Sequence, residues 1–235
     1  MVGSRILLFD TVDSTNIRAF NVEGDGTVVV AESQTSGRGR HGRYWESPGG
    51  VGVWFSVRLE GLVEGLPFAV PLSVRDGLLA LEGFPKGDGA PVVKWPNDVL
   101  LQGKKCCGVL IEHRGGVTVV GIGVNVLHRL DDFPPGLRDT ATSLRIATGR
   151  DWERRVVLRG ILEAFDKRVM ALRKGLGVEI RQEWAKACAV EGAAVQVDET
   201  NGVVTGLDES GALLVRVSGG SMRVPWGDRV KLAVR

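Results

Sequence analysis

Residues 34–45 read Gln34-Thr35-Ser36-Gly37-Arg38-Gly39-Arg40-His41-Gly42-Arg43-Tyr44-Trp45. Three arginines and three glycines fall within the seven positions 37–43, and two aromatic residues follow directly. Arginine presents a planar, permanently charged set of donors that suits carboxylate and phosphate oxygens. Glycine lets the backbone approach a ligand closely and adopt dihedral angles that other residues avoid. The stretch therefore predicts a mobile loop that folds over an anion.

The glycines of this loop also match the spacing G-x-G-x-x-G of dinucleotide-binding turns. Such a turn requires a hydrophobic strand before the glycines and a helix after them. Here the polar run 33–36 comes first and the turn-forming run 47–50 follows, so the context argues against a Rossmann site. A solvated basic loop is the plainer alternative for any single arginine, and it loses support when the other motifs of the chain are considered.

Length and composition limit the possible classes of protein. With 235 residues and 43% hydrophobic content, the chain can bury the core of one large domain and a small second one. The formal net charge of +2 predicts no bulk attraction to nucleic acid. No run of 18 apolar residues occurs, so no membrane span is expected, and residues 1–5 lead into a strand-like run rather than a signal peptide.

The cysteines and histidines predict neither a disulfide framework nor a zinc site. Cys106, Cys107 and Cys188 are odd in number and two are adjacent, which favours a reduced, cytoplasmic protein. The three histidines, at 41, 113 and 128, show no metal-ligand spacing with the cysteines.

Short strand-like runs alternate with helical segments through the first 188 residues. Runs of β-branched and aromatic residues predict strands at 6–9, 27–31, 53–59, 92–95, 109–112 and 117–124. Capping residues and helical spacing of apolar residues predict helices at 13–20, 68–82, 152–174 and 179–189.

The pattern changes after about residue 190. Five short runs around Gly-containing turns predict strands at 194–197, 203–207, 213–217, 222–224 and 229–234. This texture is typical of a small β-barrel, and its size predicts that it packs on the larger domain. We therefore expect one domain over 1–188 and a second over 189–235.

Four further clusters share the small, polar or cationic character of the loop. Asp13-Ser14-Thr15-Asn16 can bind a polar ligand at a helix start, or can simply cap that helix. Lys94-Trp95-Pro96-Asn97-Asp98 places a cation and a carboxylate at a strand exit, with an ordinary turn as the alternative.

The other two clusters lie on neighbouring predicted strands. Residues 104–112 begin with two lysines that either enter a site or are solvated in a hairpin. Residues 121–126 read G-I-G-V-N-V, and glycines within an apolar strand indicate close approach of a ligand or backbone, or tight strand packing.

The order and spacing of these motifs resemble the biotin protein ligase family. The likeness covers D-S-T-N at 13–16, the loop at 34–45, Ser47-Pro48, K-W-P-N-D at 94–98, K-x-x-G-V-L-x-E at 105–112, G-I-G-V-N-V at 121–126 and A-T-S-L at 141–144. The stretch 211–215 resembles the C-terminal barrel of the family. Cys106-Cys107 departs from the pattern, and we expect these thiols to pack as small hydrophobes.

The resemblance implies roles for individual residues. Biotin binding is implied for Ser14, Thr15, Asn16, Gln34, Gly37, Arg38, Gly39, Arg40, Lys105, Gly108 and Gly121. Contact with ATP or the adenylate is implied for Arg38, Arg40, Arg43, Trp45, Lys94, Asn97, Lys105, Gly123 and Asn125. Arg40, Lys105 and Asp98 are implied as catalytic, and Asp98 is a candidate contact of Mg²⁺ or the acceptor lysine; no protein metal cage is implied.

The resemblance also implies a fold and an activity. The fold is α+β, with a central mixed β-sheet flanked by helices as in class II synthetase-like biotin–lipoate ligase domains, plus a C-terminal SH3-like β-barrel. The activity is ATP- and Mg²⁺-dependent activation of biotin to biotinyl-5′-AMP and its transfer to a lysine of a biotin carboxyl carrier protein of acetyl-CoA carboxylase or a related enzyme. The alternative in the same superfamily is a lipoate or octanoate ligase or transferase.

Other expectations concern partners. Regulatory members of the family carry an N-terminal DNA-binding domain, for which a first strand at Ile6 leaves no room, so DNA binding is not expected. A nucleic-acid-binding protein that uses the loop arginines is the rival from another class, and the near-neutral charge disfavours it. Edge strands favour a homodimer.

Overall fold

The computed structural model describes residues 1–188, 190–226 and 230–233. Its larger sheet has seven strands: β1 (Ile6–Val12), β2 (Val28–Gln34), β3 (Gly52–Glu60), β4 (Val92–Lys94), β5 (Asp98–Leu101), β6 (Lys104–Arg114) and β7 (Val117–Asn125). Their spatial order is β1-β2-β3-β7-β6-β5-β4. Strands β1 and β2 run parallel and the other neighbours run antiparallel, which confirms the mixed sheet.

The described residues include five α-helices: α1 (Thr15–Phe20), α2 (Leu66–Leu79), α3 (Leu144–Thr148), α4 (Arg154–Arg173) and α5 (Gly177–Ala187). Helix α4 buries Val157, Ile161 and Phe165, the apolar positions at helical spacing. It crosses α2 so closely that a Cβ on Gly77 would lie 2.6 Å from Ile161 Cα. These two helices cover one face of the sheet.

The two faces of the central strands differ in character because side chains alternate along a strand. Phe55, Val57 and Ile122 point into the main hydrophobic core, which includes residues of α2 and α4. Ser56 lies between Phe55 and Val57 and pairs in register with Gly121 on the opposite face. That face is therefore polar and glycine-rich, and it is available to line a site.

The second sheet comprises β8 (Ala194–Val197), β9 (Thr200–Leu207), β10 (Leu213–Val217), β11 (Gly220–Val224) and β12 (Val230–Ala233), in the order β11-β10-β9-β8-β12. Five short strands of a small β-barrel were expected here, and the described residues form five strands, all paired antiparallel. The sheet is not closed into a barrel: among the described residues, β11 and β12 are the two edges and do not pair. Residues 229 and 234 of the predicted last strand lie outside the described residues.

Two elements of the larger sheet region differ from the sequence prediction. Strand β5, which was not predicted, begins at Asp98 within the motif expected at a strand exit, so Lys94 and Asp98 are paired across a β-hairpin. Helix α3 was not predicted; it is capped by Ser143, whose hydroxyl accepts a hydrogen bond from the Ile146 amide. None of the described helices combines the length and apolar character needed to cross a membrane.

Candidate active site

A cavity of about 590 Å³ lies on the polar face of the larger sheet. All the predicted site residues line it except Gly37. Gly37 is buried beside the cavity, where a Cβ would lie 2.2 Å from the Trp45 carbonyl oxygen. A glycine at this position therefore allows the two ends of the loop to pack closely. The structure thus brings motifs from six separate parts of the chain to one place.

One end of the cavity is a hydrogen-bonded polar cluster. The Thr15 amide and hydroxyl both donate to Gln34 Oε1, at 2.7 and 3.1 Å. The Ser56 hydroxyl lies 2.6 Å from Asn16 Oδ1 and 2.8 Å from Thr15 Oγ1. Ser14 is at the N-cap of α1 but its side chain makes no capping bond. The polar start of α1 therefore faces the cavity, as expected of a ligand-binding cluster rather than of a simple cap.

Glycines on β6 and β7 make room above the sheet. A Cβ on Gly121 would lie 2.1 Å from Asn16 Oδ1, and one on Gly123 would lie 2.5 Å from Trp45 Nε1. Gly108, which pairs with Gly123 in register, would meet the Trp45 ring at 2.9 Å. Close approach to these glycines is confirmed, and the approaching groups are side chains that themselves line the cavity.

The arginine-glycine loop comprises residues 35–46 in the structure, because β2 includes Gln34, and it forms a short hairpin over the cavity. Arg38 and Tyr44 are bridged, and the Gly39 amide donates to the Arg43 carbonyl at 2.8 Å. Two arginines tie it down. Arg40 Nη1 donates to Asn97 Oδ1 at 3.0 Å, and Arg38 forms an ion pair with Glu112 at 3.1 Å. Burial lowers the pKa of the Arg40 guanidinium, and the nearby Asp98 carboxylate opposes that shift.

A cation and a carboxylate face each other in the middle of the cavity. Lys105 Nζ lies 2.7 Å from Asp98 Oδ1 and 5.2 Å from the centre of the Trp45 ring. The two residues are brought together because β5 and β6 are adjacent antiparallel strands. The Lys105 backbone is also bonded to the segment 140–142, which fixes the start of β6. The charges of Lys105 and Asp98 balance each other, and the nearby guanidinium of Arg40 gives this part of the site a net positive charge.

The other end of the cavity is aromatic. Trp45 and Trp54 pack edge to face with ring centres 6.4 Å apart, and the His128 ring stacks on Phe133 at 5.0 Å. Trp45 Nε1 and His128 Nδ1 are buried and have no hydrogen-bond partner among the residues that the structure describes. Burial lowers the pKa of His128 to about 4, so the ring is neutral at physiological pH. A flat, partly polar ligand group fits such surroundings.

The comparisons with known proteins agree with this site. A model of the biotin/lipoate A/B protein ligase family matches residues 8–128. The bifunctional ligase/repressor BirA of Bacillus subtilis (strain 168) is 32% identical over 238 residues, covering 95% of this chain and 73% of that protein. The biotin–[acetyl-CoA-carboxylase] ligase of Paracoccus denitrificans is 32% identical over 232 residues, covering 91% of this chain and 95% of that protein.

The chain belongs to the biotin/lipoate A/B protein ligase family. Among solved structures, biotin protein ligase from Aquifex aeolicus in complex with biotin and ATP has a TM-score of 0.84 at 31% identity. That likeness covers 97% of this chain and 99% of the Aquifex chain, so it includes both sheets.

Sequence reasoning missed several residues that line or support the site of this family member. Ser56 is fully buried beneath α1, and His128 lines the aromatic end. Glu112 was recognised as part of a motif but not as a contact of Arg38. Ser56 lies within an apolar run, and its single hydroxyl on a buried strand was the signal that could have identified it.

The adjacent cysteines lie behind the site and not in it. Cys106 and Cys107 are fully buried in the main core. Burial raises the pKa of Cys106 to about 12 and that of Cys107 well above its usual value. Both thiols therefore pack as small hydrophobic groups, as the sequence predicted.

Proposed function

We propose that this protein is an ATP-dependent ligase that activates biotin as biotinyl-5′-AMP and transfers it to a lysine of a biotin carboxyl carrier protein. The observation that carries the proposal is the arrangement of the cavity. A hydrogen-bonding pocket, a half-buried cationic centre and an aromatic end follow one another under a single arginine-bearing loop. Its volume of about 590 Å³ lies within the usual range for ligand sites.

The polar end suits the ureido head of biotin. Thr15, Asn16 and Gln34 offer both donors and acceptors there, and a ureido group needs both. Gly121 leaves space for the Asn16 amide against the sheet, and this places that amide in the wall of the cavity. Because the biotin tail ends in a carboxylate, binding in this orientation directs that carboxylate towards Lys105 and Arg40.

Activation requires the biotin carboxylate to attack the α-phosphorus of ATP, which brings two anions together. Arg40 and Lys105 offset that repulsion. At about 4 Å and an effective dielectric of about 20, each favourable pair contributes roughly 4 kcal/mol before desolvation. Asp98 holds Lys105 in place at 2.7 Å, so its ammonium is positioned before the substrates bind. No protein nucleophile is needed, and catalysis depends on positioning and charge.

Mg²⁺ accompanies ATP in this chemistry and shares the charge of its phosphates. Within the described parts of the chain, no group of three or more His, Cys, Asp or Glu side chains is placed to hold a metal. A magnesium ion bound through phosphate oxygens, with Asp98 as a single candidate carboxylate, fits that donor set.

Transfer forms an amide bond between the acyl carbon and the amine of the acceptor lysine, and AMP leaves. The acyl-adenylate hydrolyses in water, so the loop 35–46 has to stay over it until the acceptor arrives. The contacts of Arg38 and Arg40 with Glu112 and Asn97 support that role.

Several broader expectations accompany this proposal. A carrier domain of acetyl-CoA carboxylase or a related enzyme is the proposed acceptor. A cytoplasmic location is supported by the buried, free cysteines. The division at residues 188 and 189, the homodimer and the ligand contact assigned to each site residue stay predictions.

The deciding experiment is incubation of the protein with ATP, Mg²⁺ and biotin, followed by mass detection of biotinyl-5′-AMP. Pyrophosphate exchange into ATP should depend on biotin, and lipoate or octanoate in place of biotin should support it at least about 100-fold less well, since a mismatched polar head leaves buried groups unpaired. Exchange driven equally by lipoate would instead assign the alternative activity of the superfamily.

A further inference from the structure

Glu112, near the end of β6, joins two parts of the site through a single carboxylate. Its Oε2 accepts a hydrogen bond from Asn16 Nδ2 at 2.8 Å, and its Oε1 lies 3.1 Å from Arg38 Nη2. Asn16 belongs to the polar end of the cavity, whereas Arg38 belongs to the loop. The carboxylate therefore links the position of the loop to the orientation of the Asn16 amide.

The hydrogen bonds continue from Asn16 to the other end of the same loop. The Ser56 hydroxyl contacts both Asn16 and Thr15, and the Thr15 hydroxyl donates to Gln34. Gln34 Nε2 donates to Ser47 Oγ at 2.7 Å, and Ser47 Oγ donates to the Trp45 carbonyl at 3.0 Å. One network thus reaches the loop at both of its ends.

The links in this network differ in how easily they can break. Ser56 and Asn16 are buried, and the bond between them joins neutral groups. The side chains of Arg38 and Glu112 are 47% and 24% exposed, and both are charged. An exposed ion pair is readily broken and reformed, whereas a buried neutral bond is costly to leave unmade.

We propose that Glu112 is a positioning residue that latches the loop 35–46 closed through Arg38 and at the same time fixes the Asn16 amide. Breaking this ion pair removes one of the two arginine contacts that hold the loop, so the open population rises even though Arg40 still contacts Asn97. The neutral bonds keep the other end of the loop attached. The latch itself does not depend on the ligand, and only its consequence for a bound adenylate rests on the proposed function.

Trypsin provides a direct measure of loop opening in the unliganded full chain, because the loop contains cleavage sites after Arg40 and Arg43. Cleavage of a transiently open segment follows the open population when opening and closing are fast. Glu112→Gln keeps an oxygen that accepts from Asn16 but removes the charge that binds Arg38. We expect this variant to be cut after Arg40 and Arg43 about two- to fivefold faster than the parent, the range expected for an exposed ion pair.

A double-mutant cycle separates the latch from general destabilisation. In an Arg38→Gln background, Glu112→Gln should cause no further increase in cleavage after Arg40 and Arg43. Glu60→Gln, which removes the exposed acid of the Arg58–Glu60 pair away from the loop, is the matched control and should leave loop cleavage unchanged. Equal cleavage of Glu112→Gln and the parent, or the same increase with and without Arg38, would overturn the latch.

The ligand-bound consequence has its own measurement. After loading with biotin and ATP, Glu112→Gln should release the adenylate about two- to fivefold faster than the parent in a chase experiment. If the release rate is unchanged, the Glu112–Arg38 ion pair holds the loop only in the unliganded protein, and its proposed role in retaining the adenylate is wrong. A chain that forms no adenylate would refute the proposed function, and the digestion result would still decide the latch.

Discussion

Lys104 and Lys105 are adjacent in the sequence but lie in different surroundings. Lys105 Nζ reaches Asp98 inside the cavity, whereas Lys104 Nζ donates to the Arg138 carbonyl at 3.1 Å. Consecutive residues of a strand point to opposite sides, so one lysine enters the site and the other does not. Substitution of Lys105 therefore tests the cationic centre, and the same substitution at Lys104 is a control.

We predict that Lys105→Ala lowers the rate of biotinyl-5′-AMP formation by at least about 100-fold, the usual effect of losing one preorganised charge-stabilising group. Lys104→Ala should retain the rate within about threefold, because its ammonium makes a peripheral bond. Single-turnover formation of the adenylate measures both. A loss below tenfold in Lys105→Ala would reject the assignment of Lys105.

His128 predicts a dependence of stability on pH. In the folded protein its pKa is about 4, below the ordinary value of 6.5. Between pH 4 and pH 6.5 the unfolded chain therefore binds a proton that the folded chain does not bind. Stability contributed by the neutral ring is thus present above pH 6.5 and is lost as the pH falls towards 4. Between pH 7 and pH 5 the loss should be about 2 kcal/mol.

Urea unfolding at pH 7 and pH 5 measures this loss. His128→Phe keeps an aromatic ring beside Phe133 and Trp54 but cannot titrate, so its free energy of unfolding should fall less over the same interval. An identical fall in the parent and in His128→Phe would show that other groups cause the pH dependence.

At the level of elements, two glycines of β7 lie at different ends of the cavity. Gly121 faces Asn16, at the polar end, and Gly123 faces Trp45, at the aromatic end. Both glycines lie in one strand and are two residues apart, so their side of the sheet is the same. An added methyl group at each position therefore disturbs one end of the site more than the other.

We predict that Gly121→Ala raises KM for biotin by at least about tenfold, with a smaller effect on ATP, and that Gly123→Ala does the reverse, because a buried overlap costs about 1–3 kcal/mol. Gly177→Ala in helix α5 is the control, since the nearest atom to its added Cβ is 4.0 Å away. Steady-state kinetics with each substrate varied in turn measures these effects. If each variant changed KM for biotin and KM for ATP equally, the assignment of Gly121 to the biotin end and of Gly123 to the ATP end would be wrong.

The elements that the sequence predicted well were those with a strong local pattern. Helix α4 was recognised from its apolar spacing, and β7 from its β-branched residues. Strand β5 was missed because it has four residues and begins inside a turn motif. The contact between Glu112 and Arg38 joins residues 74 positions apart, and no local pattern encodes such a pairing. The order of the motifs therefore predicted which segments form the site, but the contacts within the site depend on tertiary packing and could not be predicted.

In the whole molecule, an aromatic cluster joins the second sheet to the larger one. Trp95 is buried, and its Nε1 donates to the Gly211 carbonyl at 2.9 Å. Its ring lies 6.0 Å from that of Trp226, which packs in turn on Phe68 and Trp184. Trp95 also directly precedes the turn that carries Asn97 and Asp98. The second sheet therefore supports the segment that holds Arg40 and Lys105.

This support predicts that a change at the sheet contact alters catalysis by displacing the segment that carries Asn97 and Asp98. Trp95→Phe removes the donor to Gly211 and leaves a small void, which should lower the free energy of unfolding by about 2 kcal/mol. Trp152→Phe is a matched control, because Trp152 is also buried and donates to Thr148 Oγ1 at 2.8 Å, but it lies away from the cavity.

Both variants should lose similar stability in urea unfolding, whereas Trp95→Phe alone should lower kcat/KM for ATP by about tenfold, since small misplacements of positioning groups are costly. Activity is compared at a temperature at which both variants remain folded. If Trp95→Phe and Trp152→Phe lose activity equally, the effect is one of stability alone. In that case the second sheet stabilises the chain but does not position Asn97 and Asp98.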